Sequence, residues 1–150
     1  MNIIFKRVPT HQVDFINLVK QLDTTLAETD GDEHEFYHQF NGLDTLKHRL
    51  VGYHEEIPVA IGAIKELTPT CVEVKRMFTV PEYRGQGIGS RLLTELELWA
   101  KELDYEKSAL ETGKRQPDAI ALYEKNGYAR IQNYGQYKGQ ENSVCFEKLL

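Results

Sequence analysis

The stretch Val80-Pro81-Glu82-Tyr83-Arg84-Gly85-Gln86-Gly87-Ile88-Gly89-Ser90 decides how this chain is read. The residues before it, Cys71 to Val80, are rich in β-branched and aromatic types and read as a strand. After it the period becomes helical. Leu92, Leu93, Leu96, Trp99, Ala100 and Leu103 fall on one face, and Arg91, Glu95, Lys101 and Glu102 on the other. A strand therefore runs through a glycine-rich turn into a helix. The first N–H groups of a helix have no partner within it and form an anion site. Glycines there let a phosphate approach the main chain, and Arg84 adds a planar fork of donors suited to phosphate. The chemistry implied is a loop that holds a diphosphate. It is not the dinucleotide fingerprint, because the glycines are spaced G-x-G-x-G rather than G-x-G-x-x-G and the strand is not the chain's first. It is not a P-loop either, for want of the Gly-Lys-Ser/Thr ending.

Working outward, Asn2 to Val8 reads as a first strand. Phe15, Leu18, Val19 and Leu22 mark one face of a helix. Thr29 to Asn41 starts with turn residues and reads as a loop with a short helix. Leu50 to Tyr53 and Val59 to Lys65 form a hairpin around a turn at His54 to Pro58. Downstream, Lys107 to Thr112 returns to strand. Pro117 and Asp118 suit the start of a helix that Gly127 ends. Tyr128 to Ile131 and Val144 to Leu149 are the last strands, separated by a tyrosine- and glycine-rich excursion from Asn133 to Asn142. This order predicts an α+β fold on a mixed sheet of about seven strands flanked by helices. With no repeat or linker-like composition, residues 1–150 read as one domain.

Composition narrows the function. The chain has 150 residues, 18 basic and 23 acidic, for a formal charge of −5. That disfavours a nucleic-acid backbone as partner. No apolar run approaches the ~20 residues of a membrane helix, and the N-terminus does not read as a secretory signal. Cys71 and Cys145, both among apolar residues, read as buried thiols, which excludes a disulfide framework or a zinc site. A cytoplasmic location is the expectation.

The glycine-rich stretch resembles the signature of the GNAT superfamily of acyl-CoA-dependent N-acetyltransferases, Arg/Gln-x-x-Gly-x-Gly/Ala, through Arg84, Gly87 and Gly89. A second stretch typical of that family follows in the right order: Ala119-Ile120-Ala121-Leu122-Tyr123-Glu124-Lys125-Asn126-Gly127-Tyr128. Three residues before its first alanine, where the family often has Asn, this chain has Gln116. The resemblance is strong from about Val72 to Tyr128. It implies a mostly antiparallel sheet whose fourth and fifth strands splay apart, acetyl-CoA as cosubstrate and no metal. It further implies that Gly85, Gln86, Gly87, Ile88, Gly89 and Ser90 hold the CoA diphosphate, with Arg84 at the entrance. The main chain of Phe78 and Val80 would pair with the pantetheine arm.

Transfer of an acetyl group to an amine has three needs. The amine must shed its proton against a pKa of ~10.4 for a lysine-like group. The developing oxyanion needs a donor. The leaving thiolate needs a proton. Tyr123 matches the tyrosine assigned that last role in the family. For the base, Glu73 and Glu111 each lie on a strand bordering the expected cleft. Alternation sets Glu73 opposite Val72 and Val74, off the apolar core. Lys75, Arg76 and Arg115 suit either an acceptor carboxylate or salt bridges. Tyr134 and Tyr137 suit either an acceptor wall or a subunit contact, so a homodimer is one reading. His34, His38 and His54 read as solvated, and Asp30, Asp32, Glu33 and Glu35 as an acidic helix start. The expected activity is acetylation of a small or amino-acid-like amine, with a protein amine or a non-catalytic acyl-CoA sensor as alternatives.

Overall fold

The computed structural model describes residues 2–30 and 46–150. Among them the elements are β1 (Ile4–Val8), α1 (Val13–Asp30), β2 (His48–His54), β3 (Ile57–Thr68), β4 (Cys71–Thr79), α2 (Ile88–Glu102), β5 (Lys107–Gly113), α3 (Pro117–Lys125), β6 (Ala129–Ile131) and β7 (Ser143–Leu149). Short 3-10 turns sit at Pro81–Tyr83 and Gly135–Tyr137. The strands form one sheet in the order β1-β2-β3-β4-β5-β7-β6. Every neighbouring pair is antiparallel except β4 and β5. The expected α+β architecture is borne out.

β3 lies under two helices. Its residues from Val59 to Ile64 are all buried, with half-buried Pro58 and Lys65 on either side, so both pleat faces are covered. Gly62 faces α2, since a Cβ there would stand 2.9 Å from a Leu96 methyl. α3 shares that side: Gly89 at the start of α2 abuts Leu122, and Tyr128 beyond α3 donates to Glu97 of α2. α1, which also packs on β3, therefore covers the other face through Phe15, Leu18, Val19 and Leu22. Burying both faces of a central sheet in this way supplies most of the apolar stabilisation, at about 25 cal/mol per Å².

The feature that shapes the site is a break between β4 and β5. They pair only through Cys71–Lys107, Val72–Ser108 and Glu73–Ala109. Beyond that point β4 stays with β3 as far as Thr79 and β5 stays with β7 as far as Gly113, so the two diverge. A bulge in β4 follows just beyond the last β4–β5 pair. Lys75 opposes Ala63 and Phe78 opposes Ile61, which leaves Arg76 and Met77 both facing Gly62. Arg76 takes φ 59, an uncommon conformation for a long side chain, and its guanidinium is held by Asp23 of α1 at 2.6 Å. Gly62 leaves room beside the bulge for the Met77 sulfur.

Three local expectations need correction. The β2–β3 turn is Glu55-Glu56 alone, both at positive φ, with Pro58 inside the strand opposite Tyr53. That is a primed two-residue turn, which usually announces itself with Asn or Gly. Here the buried pairing of β2 with β3 sets the register instead. Thr29 and Asp30 belong to α1, not to a loop; the rest of the 29–41 segment lies outside the described residues. Leu103, at the end of the apolar stripe of α2, is 38% exposed.

Candidate active site

A cleft of about 110 Å³ opens where β4 and β5 part. Lys75, Arg76 and Met77 form one wall and Glu111, Thr112 and Gly113 the other. Leu22 and Leu26 of α1 border it on one face of the sheet, Ala119 and Tyr123 of α3 on the opposite face. The splay thus makes a passage through the sheet rather than a groove upon it.

Tyr123 reaches the passage from the α3 side. Its ring packs edge-on against Tyr128 and tilted against Phe146, the partner of Leu110. Burial, reinforced by the Glu111 charge, pushes its phenol well above the ordinary tyrosine range. At neutral pH it keeps its proton and is a donor in reserve. Glu111, one residue along from Leu110, points to the other face and accepts a hydrogen bond from Ser143 Oγ at 2.8 Å. An acid and a carboxylate therefore meet the same cleft from its two sides.

Glu73 behaves differently from the expectation. Alternation does turn it away from Val72 and Val74, but the excursion between β6 and β7 then covers it, leaving it 1% exposed. Its Oε2 accepts the Tyr134 hydroxyl at 2.5 Å, and Oε1 lies 3.9 Å from Lys65 Nζ and 4.0 Å from Lys75 Nζ. It is not among the residues lining the cleft. Of the two candidate carboxylates, only Glu111 is brought to Tyr123. Lys75, which does line the cleft, is buried and donates to Tyr137 Oη at 3.2 Å. Desolvation lowers its pKa, with the Glu73 charge opposing that shift.

In the glycine-rich turn the three central glycines act differently. Gly85 and Gly87 both take φ 78, open to solvent on the side where a Cβ would project. Gly87 is the N-cap of α2 and supplies no side-chain cap, so the N–H groups of the first turn face outward unclaimed by a capping group. Gly89 instead allows α2 to approach Leu122 of α3, where a Cβ would stand 3.2 Å from a methyl carbon. Asn126, ending α3, donates to Ser90 Oγ at 3.0 Å and ties the two helices together. The turn therefore has room for an anion at its first two glycines. Arg84 folds back so that its Nε donates to the Thr79 carbonyl at 2.9 Å, with the guanidinium over the Phe78 ring.

The main-chain expectation for β4 shifts by one residue. The Val80 N–H already donates to the Val59 carbonyl at 2.9 Å, inside the sheet. Alternation places the Phe78 main chain on that same β3-facing edge and turns Met77 and Thr79 toward the gap. The Thr79 carbonyl capped by Arg84 agrees with this.

The family model for acetyltransferases of the GNAT family matches residues 15–128. The chain belongs to the GNAT family. Over its whole length it is also 34% identical to the IAA acetyltransferase of Azospirillum brasilense, the alignment covering 99% of each. An acyl-CoA N-acyltransferase structure from Klebsiella pneumoniae superposes with a TM-score of 0.83 at 30% identity, covering 99% of this chain and 97% of that one. The PaiA N-acetyltransferase of Thermoplasma acidophilum, solved with coenzyme A, shares the fold with a TM-score of 0.75 at 17% identity and full coverage of both chains. As a GNAT protein the chain is an acetyl-CoA-dependent N-acetyltransferase.

Sequence reasoning did not single out several residues that border this cleft and the glycine turn. Met77 lines the cleft beside the β4 bulge, which carries no composition signal of its own. Asn142, 8% exposed with its Nδ2 unpartnered, lies beside Gly113 at the cleft edge. His54, read as solvated, stands with Nδ1 2.9 Å from the Tyr83 hydroxyl below the glycine turn. His34, His38 and the acidic side chains of 30–35 lie outside the described residues.

Proposed function

We propose that the chain transfers the acetyl group of acetyl-CoA to the primary amine of a small or amino-acid-like acceptor, by direct attack while both substrates are bound. The observation that carries this is the passage at the β4–β5 splay, with Tyr123 on one face and Glu111 on the other, beside a glycine turn open to an anion.

Acetyl-CoA would supply the thioester. The N–H groups of Gly85, Gln86, Gly87, Ile88, Gly89 and Ser90 would hold its diphosphate, with Arg84 beside the entrance. The Thr79 and Met77 main chain, turned from β3 by alternation, would take the pairing role expected of Phe78 and Val80. A main-chain N–H on that edge would polarise the carbonyl, a contribution of ~2.7–4 kcal/mol in comparable sites. Tyr123 would protonate the departing sulfur. Glu111, facing the acceptor side, would draw the proton from the amine directly or through a water. Glu73, sealed beneath Tyr134, would act through Lys75 and the excursion rather than on the amine.

The test is calorimetry with acetyl-CoA together with thiol release across an amine panel. Binding plus acetylation of at least one amine supports the reading. Absence of cofactor binding at millimolar concentration refutes it.

A further inference from the structure

Lys75 presents a cation that the protein itself leaves half-answered. It lines the cleft and is 7% exposed. Removing an ammonium from water is costly unless a carboxylate and hydrogen bonds replace the solvent. Among the described residues the nearest carboxylate oxygen, Glu73 Oε1, is 4.0 Å away, beyond hydrogen-bond length, and the ammonium donates only to Tyr137. Glu73 is itself divided: Oε2 takes the Tyr134 hydroxyl at 2.5 Å, while Oε1 has no hydrogen bond among the described residues and lies 3.9 Å from Lys65 and 4.0 Å from Lys75. Two ammonium groups share the Glu73 carboxylate without a hydrogen bond to it, the Glu111 charge across the gap adds a weaker attraction for Lys75, and the better buried of the two lysines faces the substrate cleft.

Position matters as much as charge. Glu73 pairs in register with Ala109, so Lys75 and Glu111, each two residues further on, share one face of the sheet on opposite sides of the gap. A second polar group is unanswered nearby. Asn142 Nδ2 is buried without a hydrogen-bond partner among the described residues, 3.6 Å from the point a Cβ on Gly113 would occupy, and Gln116 Nε2 is 3.4 Å from that point. Gly113 and Gln116 both line the cleft. The acceptor side therefore offers an ammonium and amide donors together with one carboxylate.

We propose that Lys75 is the anion-binding residue of the acceptor site and that the acceptor carries a carboxylate near its amine, as an amino acid does. This rests on the transferase reading above and specifies its substrate class. Glu111 meets the amino end and Lys75 the carboxylate end. A plain amine would leave the Lys75 charge as poorly compensated as it is in the free protein. A lysine side chain in a protein has no carboxylate close to its amine.

The experiment uses three matched sets: the twenty free amino acids, their carboxamides and their decarboxylated amines. Thiol release from saturating acetyl-CoA is followed with the wild-type protein, Lys75→Met and Lys75→Arg. For the best acceptor, kcat/KM of the free acid should exceed that of its amide and amine roughly ten- to hundredfold, mostly through KM, as expected for one charge-assisted contact. Lys75→Met should collapse that preference, and Lys75→Arg should restore part of it. Equal use of acid, amide and amine by the wild-type protein would overturn the proposal, as would a preference that survives Lys75→Met. If Lys75→Met fails to fold, the wild-type comparison alone decides. Acetylation without a carboxylate preference leaves the transferase reading standing and removes only the acceptor class. Binding of acetyl-CoA with no acetylation in any set removes both.

Discussion

The two sides of the passage are built from different materials. On the α2–α3 side the groups that matter are main-chain N–H groups and one tyrosine, arranged by residues close together in sequence. On the excursion side they are buried side chains joined over long separations: Glu73 with Tyr134, Lys75 with Tyr137, Glu111 with Ser143. The first kind of site is fixed by local backbone conformation. The second exists only once the sheet has assembled, and each member depends on its neighbours to remain buried at tolerable cost.

Replacing Tyr123 by Phe tests the first side most severely. The ring contacts with Tyr128 and Phe146 remain, so fold and acetyl-CoA affinity should persist. Turnover should fall by about 10²–10⁴, the range of general acid–base catalysis. Single-turnover acetylation would show it, and an unchanged chemical step would remove Tyr123 from the mechanism.

Gly87→Val should come next, with an effect on binding rather than on chemistry. A branched residue at φ 78 is strained by ~1–3 kcal/mol and alters the N-cap of α2. The acetyl-CoA dissociation constant should rise about tenfold or more. Gly89→Ala separates the glycines, because its Cβ meets Leu122 instead of open space. It should lower the melting temperature more than it weakens the cofactor. The reverse ranking would show that the turn holds its ligand at Gly89.

The excursion side is sharpened by the pair Glu111→Gln and Glu73→Gln. If Glu111 takes the proton, its amide variant should lose rate at neutral pH and recover partly as the pH nears the amine's own pKa. Glu73→Gln should instead lower stability, because Lys65 and Lys75 lose their shared carboxylate, and should keep the shape of the pH–rate curve. Exchanged profiles would return the base to Glu73.

This contrast also explains what could be read from the chain beforehand. The glycine turn was legible because Pro81, Arg84 and the glycines at 85, 87 and 89 impose backbone geometry on the spot. The strands were legible because short runs rich in β-branched and apolar residues, such as Val59 to Ile64 and Val144 to Phe146, stand between turn residues. The position of Glu73 was half legible: alternation gave its face, but the cover over that face comes from Tyr134, sixty-one residues away. The bulge at Arg76 and Met77 was not legible at all. It follows from packing Gly62 under α2 and tethering Arg76 to Asp23, neither of which leaves a local mark. The edge of β4 on which the Phe78 and Val80 main chain lies follows from its pairing with β3, Phe78 opposite Ile61 and the Val80 N–H on the Val59 carbonyl, and only the assembled sheet shows it.

The smallest effect at neutral pH, and the most diagnostic of the buried side, concerns alkaline stability. Burial raises the pKa of Tyr128, Tyr134 and Tyr137, with the Glu73 charge and hydrogen bond adding to it at Tyr134. Tyr53 is likewise pushed up, to about 12, by desolvation and its hydrogen bond to Asp14. Below pH ~10 these phenols are protonated in folded and unfolded chains alike, and their contribution is fully present. Above it the unfolded chain ionises first, so stability is lost as pH rises toward the folded-state values. Lys75 runs the other way. Its folded pKa is lowered, so the unfolded chain binds the extra proton and stability rises with pH until the free lysine also deprotonates, near pH ~10.4. Melting curves from pH 7 to 11 should therefore separate two variants. The difference between wild type and Lys75→Met should change below pH ~10, where the lysine titrates. The difference between wild type and Tyr134→Phe should hold steady there and shrink above it. If both differences stay flat across the range, neither group is desolvated to the degree this packing requires, and the excursion does not seal the acceptor side of the sheet.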